Sequence, residues 1–160
     1  MAIAEFLSHS PADTQAFGRR LADRLQPGDV VLLEGDLGAG KTCLAQGICA
    51  GLGVTEAVSS PTFTIIHEYQ GRLTVYHLDA YRLTGSAEAE SLGLEEILGA
   101  EGVALVEWSE RIPEQIPADR LRIELQPVPA AGADVRRLLI SGQGPHAGPL
   151  AEELSRQCAL

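Results

Sequence analysis

Eight consecutive residues, Gly35-Asp36-Leu37-Gly38-Ala39-Gly40-Lys41-Thr42, satisfy the spacing Gly-x-x-x-x-Gly-Lys-Thr. The chemistry such a run supports is capture of a polyphosphate. Glycines carry no Cβ to hold an anion away from the backbone, so successive N–H groups can turn inward around it. Lys41 supplies positive charge for the β and γ oxygens, and Thr42 a hydroxyl for Mg²⁺. Asp36, Leu37, Gly38, Ala39 and Gly40 would form the wall of the loop. A helix starting at Lys41 would add its positive end. The expected ligand is a nucleoside triphosphate, ATP with Mg²⁺. The chain contains no Asn-Lys-x-Asp or Thr-Lys-x-Asp, the guanine-reading patterns, and this favours adenine.

A metal-bound nucleotide also needs an acidic residue at the end of a neighbouring strand. Two residues qualify. Glu107 follows the apolar run 103–106, and Asp79 follows the strand-like run 73–78. For either one alone, a solvated acid at a strand end is the plain alternative.

These residues need elements to hold them. Residues 30–34, rich in β-branched side chains, predict a buried central strand just before the loop, and 41–52 predict a helix just after it. Upstream, 2–8 reads as an edge strand. Ser10-Pro11-Ala12-Asp13 reads as a helix start, with a capping serine, proline in the first turn and an acid near the positive end. Pro27-Gly28 ends that helix. Downstream, 62–69 and 73–78 flank Gln70-Gly71-Arg72 as a hairpin. Residues 86–98 read as helical with a break at Gly93, and 103–106 as a second short buried strand. Residues 120–125 and 135–141 read as a final antiparallel pair. This is an α/β pattern forming one domain over 1–145, with 146–160 as a tail or short helix.

The composition narrows the function. The chain has 160 residues with 22 acidic against 12 basic ones, a formal net charge of −10. Gripping nucleic acid through its phosphates requires a basic footprint. Arg19-Arg20 and Arg136-Arg137 are the only basic doublets, so strong direct binding to RNA or DNA is not expected. No apolar run approaches the roughly 20 residues needed to span a bilayer, and MAIAEFLSHS lacks the basic start of a secretory signal. The expected location is the cytoplasm. Cys43, Cys49 and Cys158 form no CxxC pair and are odd in number, which argues against a disulfide framework or a zinc site.

Four blocks together resemble one family: residues 35–42, then Ser60-Pro61-Thr62-Phe63-Thr64, then Tyr76-His77-Leu78-Asp79-Ala80-Tyr81-Arg82, then Val106-Glu107-Trp108. They resemble TsaE, the bacterial ATPase family needed for the threonylcarbamoyladenosine modification of tRNA. The resemblance implies a P-loop NTPase-like three-layer sandwich with a mixed sheet in which the hairpin adds antiparallel strands. It implies a cytoplasmic ATPase that is slow alone and works with TsaD and TsaB, which carry the transfer chemistry. It implies that Thr42 and Glu107 hold Mg²⁺, that Asp79 and Lys41 serve hydrolysis, and that 60–64, with Thr62, form a nucleotide-sensing switch. Pro11 and Trp108 would lie where the family cradles the base. Cys43 stands where the family usually has a second threonine, and Ala80 where it has a larger apolar residue; neither disturbs the Lys-Thr pair.

Other side chains leave alternatives open. Thr62 reads as a switch hydroxyl or as a turn residue opening the hairpin. Arg82 reads as a phosphate contact or a surface ion pair. His77, two before Asp79 on the same strand face, reads as a satisfied strand histidine rather than a ligand. Tyr76 and Tyr81 read as packing residues, and Trp108 as a stacking or core residue. A competing function is a small-molecule P-loop kinase. That enzyme would need an acceptor pocket and an arginine-bearing lid, and 84–89 and 111–120 supply few arginines.

Overall fold

A computed structural model of the chain describes residues 2–36, 38–59, 61, 66–83 and 86–158. Leu37, Ser60 and 62–64, with Thr62, therefore lie outside the described residues. Seven strands form one sheet: β1 (Ala2–Ser8), β2 (Val30–Glu34), β3 (Ile66–Gln70), β4 (Thr74–Asp79), β5 (Val103–Glu107), β6 (Arg120–Pro127) and β7 (Arg136–Gln143). Their order is β1-β7-β6-β2-β5-β4-β3. Strands β6, β2, β5 and β4 run parallel at the centre. The β3–β4, β6–β7 and β1–β7 pairs are antiparallel. The predicted mixed sheet, with its hairpin and final antiparallel pair, is the one observed.

The burial patterns follow from these positions. Every residue of β5 and the first four of β2 are buried, as central parallel strands covered on both faces require. In β6 burial alternates instead: Leu121, Ile123 and Leu125 point into the core while Arg120, Arg122 and Glu124 point away.

Helices α1 (Pro11–Ala22), α2 (Lys41–Gly51) and α5 (Ala147–Cys158) pack on one face of the sheet. Phe17, Leu21, Leu44, Ile48, Leu150 and Leu154 meet Val31, Leu33, Leu105 and Ile140 there. Each such side chain, fully buried, stabilises the fold by about 1.5–3 kcal/mol. Helices α3 (Ser86–Ser91) and α4 (Leu94–Ile97) lie over β2, β5 and β4 on the other face, where Ala89, Leu94 and Leu98 meet Leu32, Leu78 and Val106. The break predicted at Gly93 is real: its φ of 71° separates α3 from α4. Among the described residues no helix is long and apolar enough to cross a membrane.

Helix α1 begins as its sequence requires. The Ser10 hydroxyl accepts from the Asp13 N–H at 3.1 Å, and Asp13 in turn accepts from the His9 N–H. Residues 146–150 are held to the domain in a similar way, with the Asp119 carboxylate accepting from the N–H groups of His146 and Ala147.

Candidate functional site

Strand β2 ends at Glu34, and the chain turns through Gly35–Gly40 into α2. The turn depends on residues without side chains. Gly40 occupies the helix N-cap with φ 105°, a left-handed conformation that disfavours L side chains. A Cβ on Gly35 would come within 2.8 Å of the Leu125 carbonyl oxygen. Among the described residues no side chain caps α2, so its positive end remains available to whatever the loop holds. Arg136 braces the outside of the loop, donating from Nε to the Ala39 carbonyl at 3.1 Å and from Nη2 to that of Gly38 at 3.3 Å.

The parallel register sets the acids. Asp79 lies directly opposite Glu107 at the ends of β4 and β5. Period-two alternation puts His77, Asp79, Leu105 and Glu107 on the sheet face that α2 covers. All three polar side chains are buried: His77 completely, Glu107 4% exposed and Asp79 6% exposed. Glu107 Oε1 is 3.7 Å from Lys41 Nζ, and its Oε2 is 2.7 Å from His77 Nε2. Asp79 Oδ1 accepts from the Tyr81 N–H at 2.9 Å, which leaves its second oxygen without a bond among the described residues. The Ala80 N–H continues the β4–β5 ladder to the Glu107 carbonyl.

Trp108 is the one non-glycine residue with positive φ among those described, at 59°. Such a conformation costs on the order of 1–3 kcal/mol for a bulky residue. It turns the chain out of β5 and sets the indole over Lys41, with Nζ 5.0 Å from the ring. Tyr81 packs on the indole at 4.9 Å, and the Arg111 guanidinium lies 5.3 Å above Tyr81. Tyr81, expected as a packing residue, packs on the indole while remaining 49% accessible. Trp108 stands at the lysine end of the site. Pro11, at the start of α1, meets the first turn of α2, its carbonyl accepting from Cys43 Sγ at 3.2 Å.

A cleft of about 360 Å³ opens against the loop, lined by Glu34, Asp36, Glu110 and Glu124 together with Lys41 and Trp108. Four carboxylates face one ammonium there. Glu34 is offset by an ion pair to Arg122, but a bare polyanion would still meet unfavourable charge. A divalent cation on the polyphosphate would cancel two of its negative charges and reduce that repulsion. The donors at the loop, a threonine hydroxyl and carboxylate oxygens, are hard oxygen ligands of the kind Mg²⁺ takes. Among the described residues no group of three or more His, Cys, Asp or Glu could hold an ion unaided.

The structure thus brings Lys41, Glu107, Asp79 and Trp108 together around the loop, with Thr42 next in α2. His77, read as a satisfied strand histidine, is satisfied at one ring nitrogen only. One ring nitrogen binds Glu107, and the other, Nδ1, is buried with no partner among the described residues. Arg136 was legible only as half of a basic doublet, and nothing in its sequence context signals that it reaches a loop 97 positions away.

The sheet order, the loop after β2 and the strand-end acids define a P-loop NTPase-like fold. The comparisons with known proteins give the family. The family described as "Threonylcarbamoyl adenosine biosynthesis protein TsaE" matches residues 8–135. The chain belongs to the TsaE family, which takes part in tRNA threonylcarbamoyladenosine biosynthesis. The "tRNA threonylcarbamoyladenosine biosynthesis protein TsaE" of Bacillus subtilis is 47% identical over 92% of this chain and 90% of its own length. The protein of the same name from Streptomyces coelicolor is 46% identical over 79% of this chain and 88% of its own. A crystal structure of Bacillus subtilis YdiB superposes with a TM-score of 0.83 at 41% identity, covering 98% of this chain and 97% of that one.

Proposed function

We propose that this chain binds ATP with Mg²⁺ on residues 35–42 and hydrolyses it to ADP and phosphate, in support of the threonylcarbamoyladenosine modification of tRNA carried out with TsaD and TsaB in the cytoplasm. The observation that carries the reading is the 3.7 Å approach of Lys41 to Glu107 at the mouth of the loop. A buried ammonium and a buried carboxylate, held near each other without a hydrogen bond, leave both free to change partners.

In this reading Lys41 leaves Glu107 for the β and γ oxygens, while the loop amides and the end of α2 hold the rest of the polyphosphate. Thr42 and Glu107 would hold Mg²⁺, which when bound neutralises charge on the phosphate oxygens. Asp79, with one oxygen tied to the Tyr81 N–H, keeps the other to orient a water for attack. The indole of Trp108 shields the lysine from solvent, strengthening its attraction for phosphate. Pro11 borders the nucleotide from the start of α1. Thr62 would sense the γ-phosphate and make 60–64 the switch that ATP orders and hydrolysis relaxes.

A rate-accelerating group supplied in trans is worth about 10³–10⁵ in related phosphoryl transfers, so partners would govern turnover. The test is calorimetry with ATP and Mg²⁺, followed by steady-state ADP release without an acceptor, alone and with TsaD and TsaB added. Tight binding lost in Lys41→Ala and slow turnover raised by the partners are expected. Absence of binding, or fast turnover indifferent to the partners, would sink the proposal.

A further inference from the structure

We infer that His77 is a positioning residue: it holds Glu107 with one oxygen turned toward the phosphate loop, so that the carboxylate can exchange the Lys41 ammonium for a divalent cation. The inference rests on the ATP–Mg²⁺ reading above.

The two oxygens of Glu107 have different neighbours. Oε2 is 2.7 Å from His77 Nε2, a charge-assisted hydrogen-bond distance, whereas Oε1 is 3.7 Å from Lys41 Nζ. A carboxylate can only accept, so the ring nitrogen facing it carries the hydrogen. The remaining nitrogen, Nδ1, is buried without a partner among the described residues. Buried polar atoms lacking any partner are uncommon in folded proteins. A ring present only to fill space would be better replaced by an apolar side chain of the same shape. This ring leaves one nitrogen unsatisfied, and the hydrogen bond it makes among the described residues goes to Glu107.

The register explains why it can do so. His77 pairs with Leu105, two residues before Glu107 on the same face, so the imidazole reaches the carboxylate diagonally from inside the sheet. Being fully buried, the ring cannot swing away into solvent. Without that bond the Glu107 carboxylate is free to rotate, and a cation must order it before Oε1 can bind. With it, Oε1 is the oxygen left for a metal, and Mg²⁺ sites use one or two such carboxylates.

The experiment measures the affinity of the full chain for a non-hydrolysable ATP analogue by calorimetry, across a Mg²⁺ titration and in EDTA. His77→Ala is expected to raise the Mg²⁺ needed for half-maximal effect about 10- to 100-fold while changing the affinity in EDTA by less than about twofold. His77→Gln, whose amide can donate from near the Nε2 position, should recover most of that loss. His77→Asn, too short to reach, should not, and it replaces the alanine variant if that one does not fold. A loss equal in Mg²⁺ and in EDTA, or no loss at all, overturns the positioning role. Failure of the unaltered chain to bind the analogue in either buffer would instead overturn the nucleotide reading beneath it.

Discussion

Replacing Gly47 by alanine should destabilise the protein even though it places a better helix former in the middle of α2. Helices α1 and α2 touch through glycines on their facing sides, Gly18 in α1 and Gly47 and Gly51 in α2. A Cβ on Gly47 would lie 2.4 Å from the Gln15 carbonyl oxygen and 2.7 Å from its Cα. Both atoms are backbone, so no side chain can rotate out of the way. Restoring an ordinary contact of 3.4 Å requires α1 to retreat by the difference, 1.0 Å. Overpacking of this kind costs about 1–3 kcal/mol, and a rigid backbone neighbour puts Gly47 in the upper part of that range. Helix propensity returns about 1 kcal/mol. The net loss is about 1–2 kcal/mol, which for a domain of this length lowers the melting temperature by about 2–8 °C. The same retreat would pull the Pro11 carbonyl from Cys43 and weaken nucleotide binding at that side. Gly148 in α5 is the control, since a Cβ there would meet nothing within 4 Å. Gly148→Ala should stabilise by about 0.4–1 kcal/mol. Thermal unfolding followed by circular dichroism decides. A Gly47→Ala variant melting at or above the unaltered protein would refute the argument.

The two strand-end acids should separate functionally. Glu107→Ala should abolish the Mg²⁺ dependence of nucleotide affinity in calorimetry, whereas Asp79→Ala should retain binding and lose about 10²–10⁴-fold in hydrolysis; the reverse pattern would exchange their roles. Burial raises the carboxyl of Asp29 above its ordinary 3.8, against the opposing pull of its Gln26 and His146 contacts. A raised folded value means the native state holds the proton more tightly, so this stability is complete below 3.8 and disappears as pH rises through the folded value. Unfolding curves of the unaltered chain against Asp29→Asn should accordingly show the difference moving against aspartate across that interval. Burial also pushes the Cys49 thiol up to about 12. Cys49 should resist a thiol reagent at pH 8 until the chain unfolds, while the half-buried Cys43 reacts before it, as peptide mapping of the labelled protein would show.

The sequence alone determined whatever depends on near neighbours. The glycine spacing of 35–42, the capping serine at position 10, the break at Gly93 and the apolar runs at 30–34 and 103–106 are local instructions, and each was legible because its physical cause lies within a few residues. Glu107 and Asp79 could be picked out as strand-end acids for the same reason. The tertiary structure decided what they face. Strand order is a choice among long-range pairings that no local pattern encodes. Only that order puts Asp79 opposite Glu107 and brings His77 across 30 positions to the carboxylate. It also sends Arg136 under the loop and sets Trp108 over Lys41 through a backbone angle that sequence gives no reason to expect. A histidine in a strand looks the same whether it packs or binds, because the difference lies in the neighbour supplied by another strand.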